Sequence, residues 1–294
     1  MKLPDGVKRI KGDHENIRAE MDLEDIVYQR KQKRNLHIRF VYPQQDNVHR
    51  KYPLVMHIQG SAWHQQNLND HLLDFKDIVT AGYILAIVEY LPTPYGIFPS
   101  QIEDAKMAMR YIVKHADEHQ VDTNNLFIMG DSSGGHTALM CWATWNKNRF
   151  DKSNERLPAI RAFIDLYGVA DLLTLSEDNP DRDYNQAGIP EAQLLGGKIP
   201  NEHPKLAKKA SVLEYVTQST ETEPLLILHG TKDDLVPFNQ SVRLYEHAKQ
   251  LNKEVKFYAI EDATHGKSLF YHEETLQTII NFLDNHKTTN YNWF

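Results

Sequence analysis

Short apolar runs alternate along this chain with segments whose apolar residues recur at helical spacing. Six largely apolar runs have the length of a strand and lie at 53–58, 83–88, 125–129, 160–166, 225–228 and 255–260. Strands that are apolar on both faces are typical of a parallel sheet covered by helices. The segment that begins at Pro99 and Ser100 is the clearest of the intervening helices, because its apolar residues lie on one face. The alternation predicts an α/β fold with a mostly parallel sheet and helices on both faces.

The residues before these runs follow a different pattern. Between 36 and 42 the apolar residues fall on every second position, after a first arm at 26–29 and a basic turn at 30–34. Alternation of this kind is typical of a strand with one buried face. We therefore expect an N-terminal antiparallel hairpin.

Length and composition bear on the domain organisation. The chain has 294 residues, of which 41% are hydrophobic and 25% are charged. These values predict one domain over 1–294 that can bury a core without disulfides or metal. The segment 171–210 interrupts the alternation and is rich in Asp, Asn, Pro and Gly. Because long insertions in compact domains are often functional, we expect a lid or a wall of the substrate pocket there.

Several classes of function are disfavoured by the composition. The formal net charge of −7 argues against nucleic-acid binding, and Cys141, as the only cysteine, can form neither a disulfide within the chain nor a cysteine zinc site. Metalloprotease, P-loop and dinucleotide-binding motifs are missing from the sequence, so no cofactor or metal is expected. The first twenty residues lack an apolar stretch of signal-peptide length, and no run could span a bilayer. We expect a soluble cytoplasmic protein without a membrane partner; its oligomeric state stays open.

The strongest local motif is Gly-Asp-Ser-Ser-Gly-Gly-His at 130–136, which contains Gly-x-Ser-x-Gly centred on Ser132. The motif follows the apolar run 125–129 and precedes an apolar helical segment, so a strand must turn sharply into a helix here. Such a turn requires small neighbours around a strained serine and pushes the serine hydroxyl out of the sheet. We predict Ser132 as a nucleophile. Ser133 lies one place off the centre and is predicted to contribute its backbone N–H to an oxyanion site.

A serine nucleophile needs a base that is held by a carboxylate, in the chain order serine, acid, histidine for this type of turn. Asp233 and Asp234 both follow the run 225–228, and His265 follows the run 255–260. Both segments therefore deliver their residues to the same edge of the sheet. We predict His265 as the base and favour Asp233 over Asp234 as the acid.

The other histidines are interpreted as structural. They include His57 within a strand, His136 at the start of the nucleophile helix, His229 at a strand end and His272 on a helix. The loop after 53–58 reads Gln-Gly-Ser-Ala-Trp, and its small residues would allow a backbone amide to approach an oxyanion closely.

Together these segments resemble the α/β-hydrolase fold. More narrowly, they are similar to the group that contains the bacterial acetyl-xylan and feruloyl esterases (BD-FAE-like) and the hormone-sensitive-lipase-like esterases. The matching segments are QGSAW (59–63), FPSQIEDAKMAMRYI (98–112), GDSSGGH (130–136), LLGG (194–197), HGTKDDLVP (229–237) and DATHG (262–266).

That resemblance implies that Ser61 and Ala62 supply oxyanion amides, and that Gln59 and Trp63, which border them, are candidate substrate contacts. The family's first loop is typically His-Gly-Gly-x-Trp, whereas this chain has Gln59 and Ser61 in place of the histidine and the second glycine. The departure leaves open which amide points inward.

The resemblance implies a serine carboxylesterase that hydrolyses short-acyl or hydroxycinnamoyl esters, with an acylated oligosaccharide as one candidate substrate. An amide hydrolase of the kynurenine-formamidase or peptidase type would use the same triad. A non-catalytic binding module on a hydrolase fold is disfavoured, because such modules usually lack a triad residue and all three are present here.

Overall fold

A computed structural model describes residues 8–13, 15–22, 24–44, 50–147 and 149–288 of the chain. Within these ranges a single nine-stranded sheet runs through the molecule, with β1, β3, β5, β4, β6, β7, β8 and β9 as neighbours and β2 paired beside β1 on the outer edge of β3. The strands are β1 (Arg18–Met21), β2 (Ile26–Lys31), β3 (Arg34–Gln44), β4 (Tyr52–Ile58), β5 (Ile84–Val88), β6 (Val121–Asp131), β7 (Ala162–Leu166), β8 (Leu225–Gly230) and β9 (Val255–Ile260).

Eight α-helices accompany the sheet in the described residues. They are α1 (Lys76–Thr80), α2 (Ser100–Lys114), α3 (Ser132–Thr144), α4 (Leu175–Asp178), α5 (Pro190–Leu194), α6 (Pro204–Lys209), α7 (Asn239–Gln250) and α8 (Glu273–His286). Two apolar clusters cover the two faces of the sheet: α2, α3 and α7 contribute to one, and α1 and α8 to the other. Neighbouring residues of β4 divide between them, since Leu54 and Met56 belong to the first cluster and Val55 to the second. The predicted α/β fold with helices on both faces is confirmed.

The N-terminal hairpin is also confirmed, with a shorter turn than the sequence suggested. Strands β2 and β3 pair antiparallel from Lys31 and Arg34 outward. Gln32 and Lys33 connect them, with φ of 48° and 63°. Two left-handed residues between paired strands form the tight turn whose twist matches that of the sheet. The basic residues at 30, 31 and 34 belong to the strands rather than to the turn.

From β5 to β9 the sheet is parallel. The carboxyl ends of these strands therefore share one edge, where the segments after β4, β6, β8 and β9 meet. The segment 171–210 contains α4, α5 and α6 and packs beside this edge. The Phe98 N–H donates to the Leu194 carbonyl at 2.9 Å, which ties the segment to the loop before α2. No helix in the described ranges is long and apolar enough to cross a membrane.

Candidate active site

Strand β6 passes into helix α3 without an intervening loop. It ends at Asp131, and the helix begins at Ser132, whose φ of 51° is strained for a residue with a side chain. The turn is possible because Gly134 lacks a side chain: a Cβ atom there would lie 2.0 Å from the Ile58 carbonyl oxygen. The helix N-terminus thus lies directly against the end of β4, and the Ser132 side chain stands at the carboxyl edge of the sheet, partly exposed.

Three side chains from separate segments of the chain meet at this turn. Nε2 of His265 lies 2.8 Å from Oγ of Ser132, and Nδ1 of the same ring lies 2.8 Å from Oδ2 of Asp233. One side of the imidazole therefore faces the serine hydroxyl, and the other faces a carboxylate. The carboxylate can fix the tautomer in which Nδ1 carries the proton and Nε2 is free to accept one.

The two adjacent aspartates of the acid loop have different surroundings. The Asp233 side chain is fully buried, whereas Asp234 is exposed. Oδ1 of Asp233 accepts the backbone N–H groups of Leu235 and Val236, each at 2.9 Å. This local turn points the other oxygen of Asp233 toward His265. Of the two candidates that the spacing allowed, the structure brings Asp233 to the histidine.

A second histidine approaches the same carboxylate. Nε2 of His229 lies 3.3 Å from Oδ2 of Asp233, and it donates to the Val236 carbonyl at 2.9 Å. Burial by itself would raise the pKa of Asp233, but the hydrogen bonds and charges of His229 and His265 outweigh burial and hold that pKa below its usual range. The carboxylate is therefore ionised at neutral pH.

The loop after β4 is held against the turn at Ser132 by two of its backbone N–H groups. The Gly60 N–H donates to Oδ1 of Asp131 at 2.8 Å, and the Ser61 N–H donates to Oγ of Ser133 at 2.9 Å. Ser61 was expected to supply an oxyanion amide, but its N–H is already used by this side chain. The Ala62 N–H has no acceptor in the part of the chain that the structure describes.

Gln59 and Trp63, the two candidates for substrate contact in this loop, are buried. Gln59 is 1% exposed and donates from Nε2 to the Asn67 carbonyl, and Trp63 is 2% exposed. The Trp63 indole N–H donates to Nδ1 of His136 at 3.3 Å. Both side chains thus support the loop from within the fold, and their contact with a substrate stays a prediction.

His136 links three parts of the site. Its Nδ1 accepts from Trp63, and its Nε2 lies 2.7 Å from the Ala210 carbonyl, at the end of the insertion. Burial lowers the pKa of His136 to about 4, so the ring is neutral at pH 7 and can accept with one nitrogen while it donates with the other. The sequence correctly indicated a structural histidine, without showing what it connects.

Sequence reasoning missed two tyrosines at the site. The Tyr167 ring packs edge-on to the His265 ring at 4.6 Å, and its hydroxyl contacts the Tyr271 hydroxyl. The Tyr90 hydroxyl lies 3.1 Å from Oγ of Ser133. In the sequence, Tyr90 follows the apolar run 83–88 and Glu89. This position just after a predicted strand is the one signal that could have placed it near this edge.

The sheet topology, the strand-to-helix turn and the converging serine, histidine and aspartate define the class of protein, which is an α/β-hydrolase. Residues 40–248 match the model of the BD-FAE family. The match spans well over half of the chain, and the chain belongs to that family.

Individual relatives agree with this family. The chain is 28% identical over 213 residues to the probable carboxylic ester hydrolase LipM of Mycobacterium tuberculosis, which covers 70% of the chain and 47% of LipM. It is 22% identical over 238 residues to esterase LipC of the same organism, which covers 78% of the chain and 56% of LipC. The chain thus spans about half the length of these curated relatives.

A solved structure described as a truncated form of carbohydrate esterase from gut microbiota has the same fold. It superposes with a TM-score of 0.78 at 23% identity, over 95% of this chain and 99% of that chain.

Proposed function

We propose that this protein is a serine carboxylesterase that works through an acyl-enzyme, with Ser132 as nucleophile, His265 as base and Asp233 as the orienting acid. The observation that carries the proposal is the pair of 2.8 Å contacts that join Ser132 to His265 and His265 to Asp233. Membership of the BD-FAE family and the likeness to LipM, a probable carboxylic ester hydrolase, favour an ester as the bond that is cleaved.

In the proposed reaction, Oγ of Ser132 attacks the acyl carbon while Nε2 of His265 takes the hydroxyl proton. The negative charge that develops on the carbonyl oxygen is stabilised by the N–H groups of Ala62 and Ser133. The protonated His265 then gives its proton to the leaving alkoxide, and the acyl group stays on Ser132. A water molecule, deprotonated by His265, attacks this ester and releases the carboxylic acid, which restores the serine hydroxyl.

We propose short-acyl or hydroxycinnamoyl esters as substrates, with an acylated oligosaccharide as the alcohol part. The family and the carbohydrate-esterase description of the structural neighbour support this choice. We further propose that the insertion 171–210 forms a wall of the substrate pocket. A cleft of about 450 Å³ is lined by residues of the insertion between Asp178 and Arg182 together with Asp233, Asp234 and Pro237.

The test compares the protein with Ser132→Ala on nitrophenyl esters of increasing acyl length, on methyl ferulate and on acetylated xylo-oligosaccharides. Formamide and aminoacyl-arylamide substrates are measured in parallel, and Ser219→Ala, an exposed serine, serves as the matched control. We expect ester hydrolysis that falls by about 10⁴-fold or more in Ser132→Ala and is unchanged in Ser219→Ala. Faster cleavage of the amides would replace the esterase proposal by an amide hydrolase.

A further inference from the structure

Three hydroxyl groups meet beside the nucleophile turn. The Tyr90 hydroxyl lies 3.1 Å from Oγ of Ser133 and 3.0 Å from Oγ of Ser61. Tyr90 and Ser133 are 1% and 2% exposed, so bulk water cannot stand in for these contacts. These contacts form a chain of hydrogen-bonded hydroxyls, which ends at the backbone because Oγ of Ser61 donates to the His64 carbonyl at 2.7 Å.

The hydrogen positions in this cluster follow from counting donors. The His64 carbonyl can only accept, so the Ser61 hydroxyl donates its proton to that carbonyl. Oγ of Ser61 must therefore accept from the Tyr90 hydroxyl. The Tyr90 hydroxyl then donates its proton to Oγ of Ser61 and accepts a hydrogen bond from the Ser133 hydroxyl. Oγ of Ser133 is left to accept the Ser61 N–H, which lies at 2.9 Å. Every hydroxyl donates once and accepts at least once, and the direction of the chain is fixed.

The loop that follows Ser61 has an unusual backbone conformation. Ala62 and Trp63 have φ of 54° and 59°, a sparsely populated conformation that surrounding contacts must enforce. The residues at and after Tyr90 supply those contacts. The Tyr90 N–H donates to Oε1 of Gln66 at 3.2 Å, and the Thr93 N–H donates to the Trp63 carbonyl at 2.8 Å.

The two proposed oxyanion donors lie on the two segments that the hydroxyl chain joins. Ala62 directly follows Ser61, and Ser133 carries the second amide on its own backbone. We propose that Tyr90 is a positioning residue for the oxyanion hole, because its hydroxyl bridges Ser61 and Ser133 and thereby sets the spacing of the Ala62 and Ser133 amides. This inference rests on the proposed esterase function. It also gives the Ser133 side chain a role that its place after the nucleophile did not suggest.

Amides that drift apart lose contact with the charge of the transition state more than with the neutral substrate, so the loss falls on kcat. Direct removal of one oxyanion donor costs about 10²–10³-fold in kcat, and a donor displaced through its support is expected to cost about 10-fold. Tyr90→Phe removes only the bridging oxygen and keeps the buried ring. We expect kcat on nitrophenyl acetate to fall about 10-fold, with KM changed less than about threefold.

A second readout follows the chemistry at Ser132 directly. A fluorophosphonate probe places its phosphoryl oxygen in the oxyanion hole, so its rate of reaction with Ser132 should fall by the same factor as kcat. The pH at which activity reaches half its maximum should not move, because the three triad residues keep their contacts. The control is Tyr83→Phe, which removes another buried tyrosine hydroxyl that donates to Asp284 at 2.7 Å. Tyr83 packs in the apolar cluster on one face of the sheet, and its removal should leave both rates unchanged.

A second variant tests the chain from its other end. Ser133→Ala keeps the Ser133 amide but removes the acceptor of the Ser61 N–H. We expect a loss similar to that of Tyr90→Phe, and a double variant whose loss is close to that of either single variant, because both break the same chain. If Tyr90→Phe fails to fold, Ser133→Ala carries the test, since it only removes an atom.

The outcomes separate the inference from the proposed function. A kcat within twofold of the parent in the folded Tyr90→Phe or Ser133→Ala variant overturns the positioning role, and so does a loss that falls on KM alone. A parent protein that neither hydrolyses nitrophenyl esters nor reacts with the probe at Ser132 overturns the esterase and, with it, the positioning role. A parent that reacts normally while both variants match it overturns the inference alone.

Discussion

Nε2 of His229 lies 3.3 Å from Oδ2 of Asp233, the same oxygen that faces Nδ1 of His265 at 2.8 Å. His229 also donates to the Val236 carbonyl. Its ring thus joins the two ends of the segment 229–236, in which Asp233 lies. A carboxylate held in this way has one orientation and a lowered pKa, which suits a residue that must orient a histidine without taking its proton.

The first prediction separates the adjacent aspartates. Asp233→Asn should lower kcat by about 10⁴-fold, because an amide cannot stabilise the imidazolium that forms on His265. Asp234→Asn should change kcat less than twofold, since its exposed charge is screened by solvent. Steady-state kinetics on a nitrophenyl ester measures both. Comparable losses in the two variants would contradict the assignment of Asp233.

The second prediction concerns a close approach between the loop 59–63 and the turn at Ser132. A Cβ atom on Gly60 would lie 2.4 Å from Oδ2 of Asp131 and 2.9 Å from Cβ of Ser132. Gly60→Ala should therefore push the two segments apart and lower kcat by about 10²-fold, the scale of a lost oxyanion donor. Gly188→Ala is the matched control, because a Cβ atom there meets no atom within 4 Å. A Gly60→Ala protein with normal kcat would show that the loop adjusts without cost.

The fold could be predicted, and Ser132 could be proposed as the nucleophile, because the signals for both are local. The apolar runs give the strands, and the glycines around Ser132 permit a turn that few other residues could form. His265 follows from the order of the chain. The spacing favours Asp233 over Asp234, and the structure adds a local reason, because the Asp233 side chain accepts two amides two and three residues ahead, a short-range preference of aspartate.

The contacts of the loop 59–63 could not be predicted because its partners are distant in the sequence. Ser61 and Ser133 are 72 residues apart, and no spacing rule indicates that the Ser133 hydroxyl oxygen accepts the Ser61 N–H. The burial of Gln59 and Trp63 has the same origin. Trp63 meets His136 through packing that depends on where α3 crosses β4, which a pattern along the chain does not encode.

The third prediction tests whether the insertion supports the acid loop. Nη1 of Arg182 donates to the Leu235 carbonyl at 3.1 Å, and Nη2 lies 3.2 Å from the buried Glu191. Arg182→Gln combined with Glu191→Gln removes the contact without leaving a buried charge unpaired. We expect kcat/KM to fall about threefold to tenfold, because the amide of Leu235 helps to orient Asp233 and a displaced catalytic group costs rate.

The control for this third experiment is Glu191→Gln alone, which keeps the contact between Arg182 and Leu235. It should retain most of the activity. Equal kcat/KM in the double variant and the parent protein would show that the insertion does not brace the acid loop.

The fourth prediction concerns a buried carboxyl beside the nucleophile strand. Asp165 pairs in register with Gly130, and its Oδ1 accepts the Gly168 N–H at 3.0 Å, whereas Oδ2 has no partner in the described residues. Burial raises the pKa of Asp165 to about 8, the Gly168 hydrogen bond offsets part of that rise, and the charge of Asp131 adds to it. Asp165 is therefore protonated in the folded protein at neutral pH.

The sign of the resulting pH dependence follows from proton counting. Between the ordinary aspartate pKa and about 8, the folded protein holds a proton on Asp165 that the unfolded chain has released. Stability must then fall as pH rises through this window, by up to about 1.4 kcal/mol per pH unit from this group. Asp165→Asn removes the ionisation and keeps the shape. Its free energy of unfolding, relative to the parent protein, should therefore improve steadily from pH 5 to pH 8 in urea titrations.

The control is Asp117→Asn, which removes an exposed carboxylate. Lys51 lowers the pKa of Asp117, so this group ionises below the window, and the free energy of unfolding of Asp117→Asn should change with pH in parallel with that of the parent protein. Parallel curves for Asp165→Asn as well would mean that Asp165 is ionised in the folded protein.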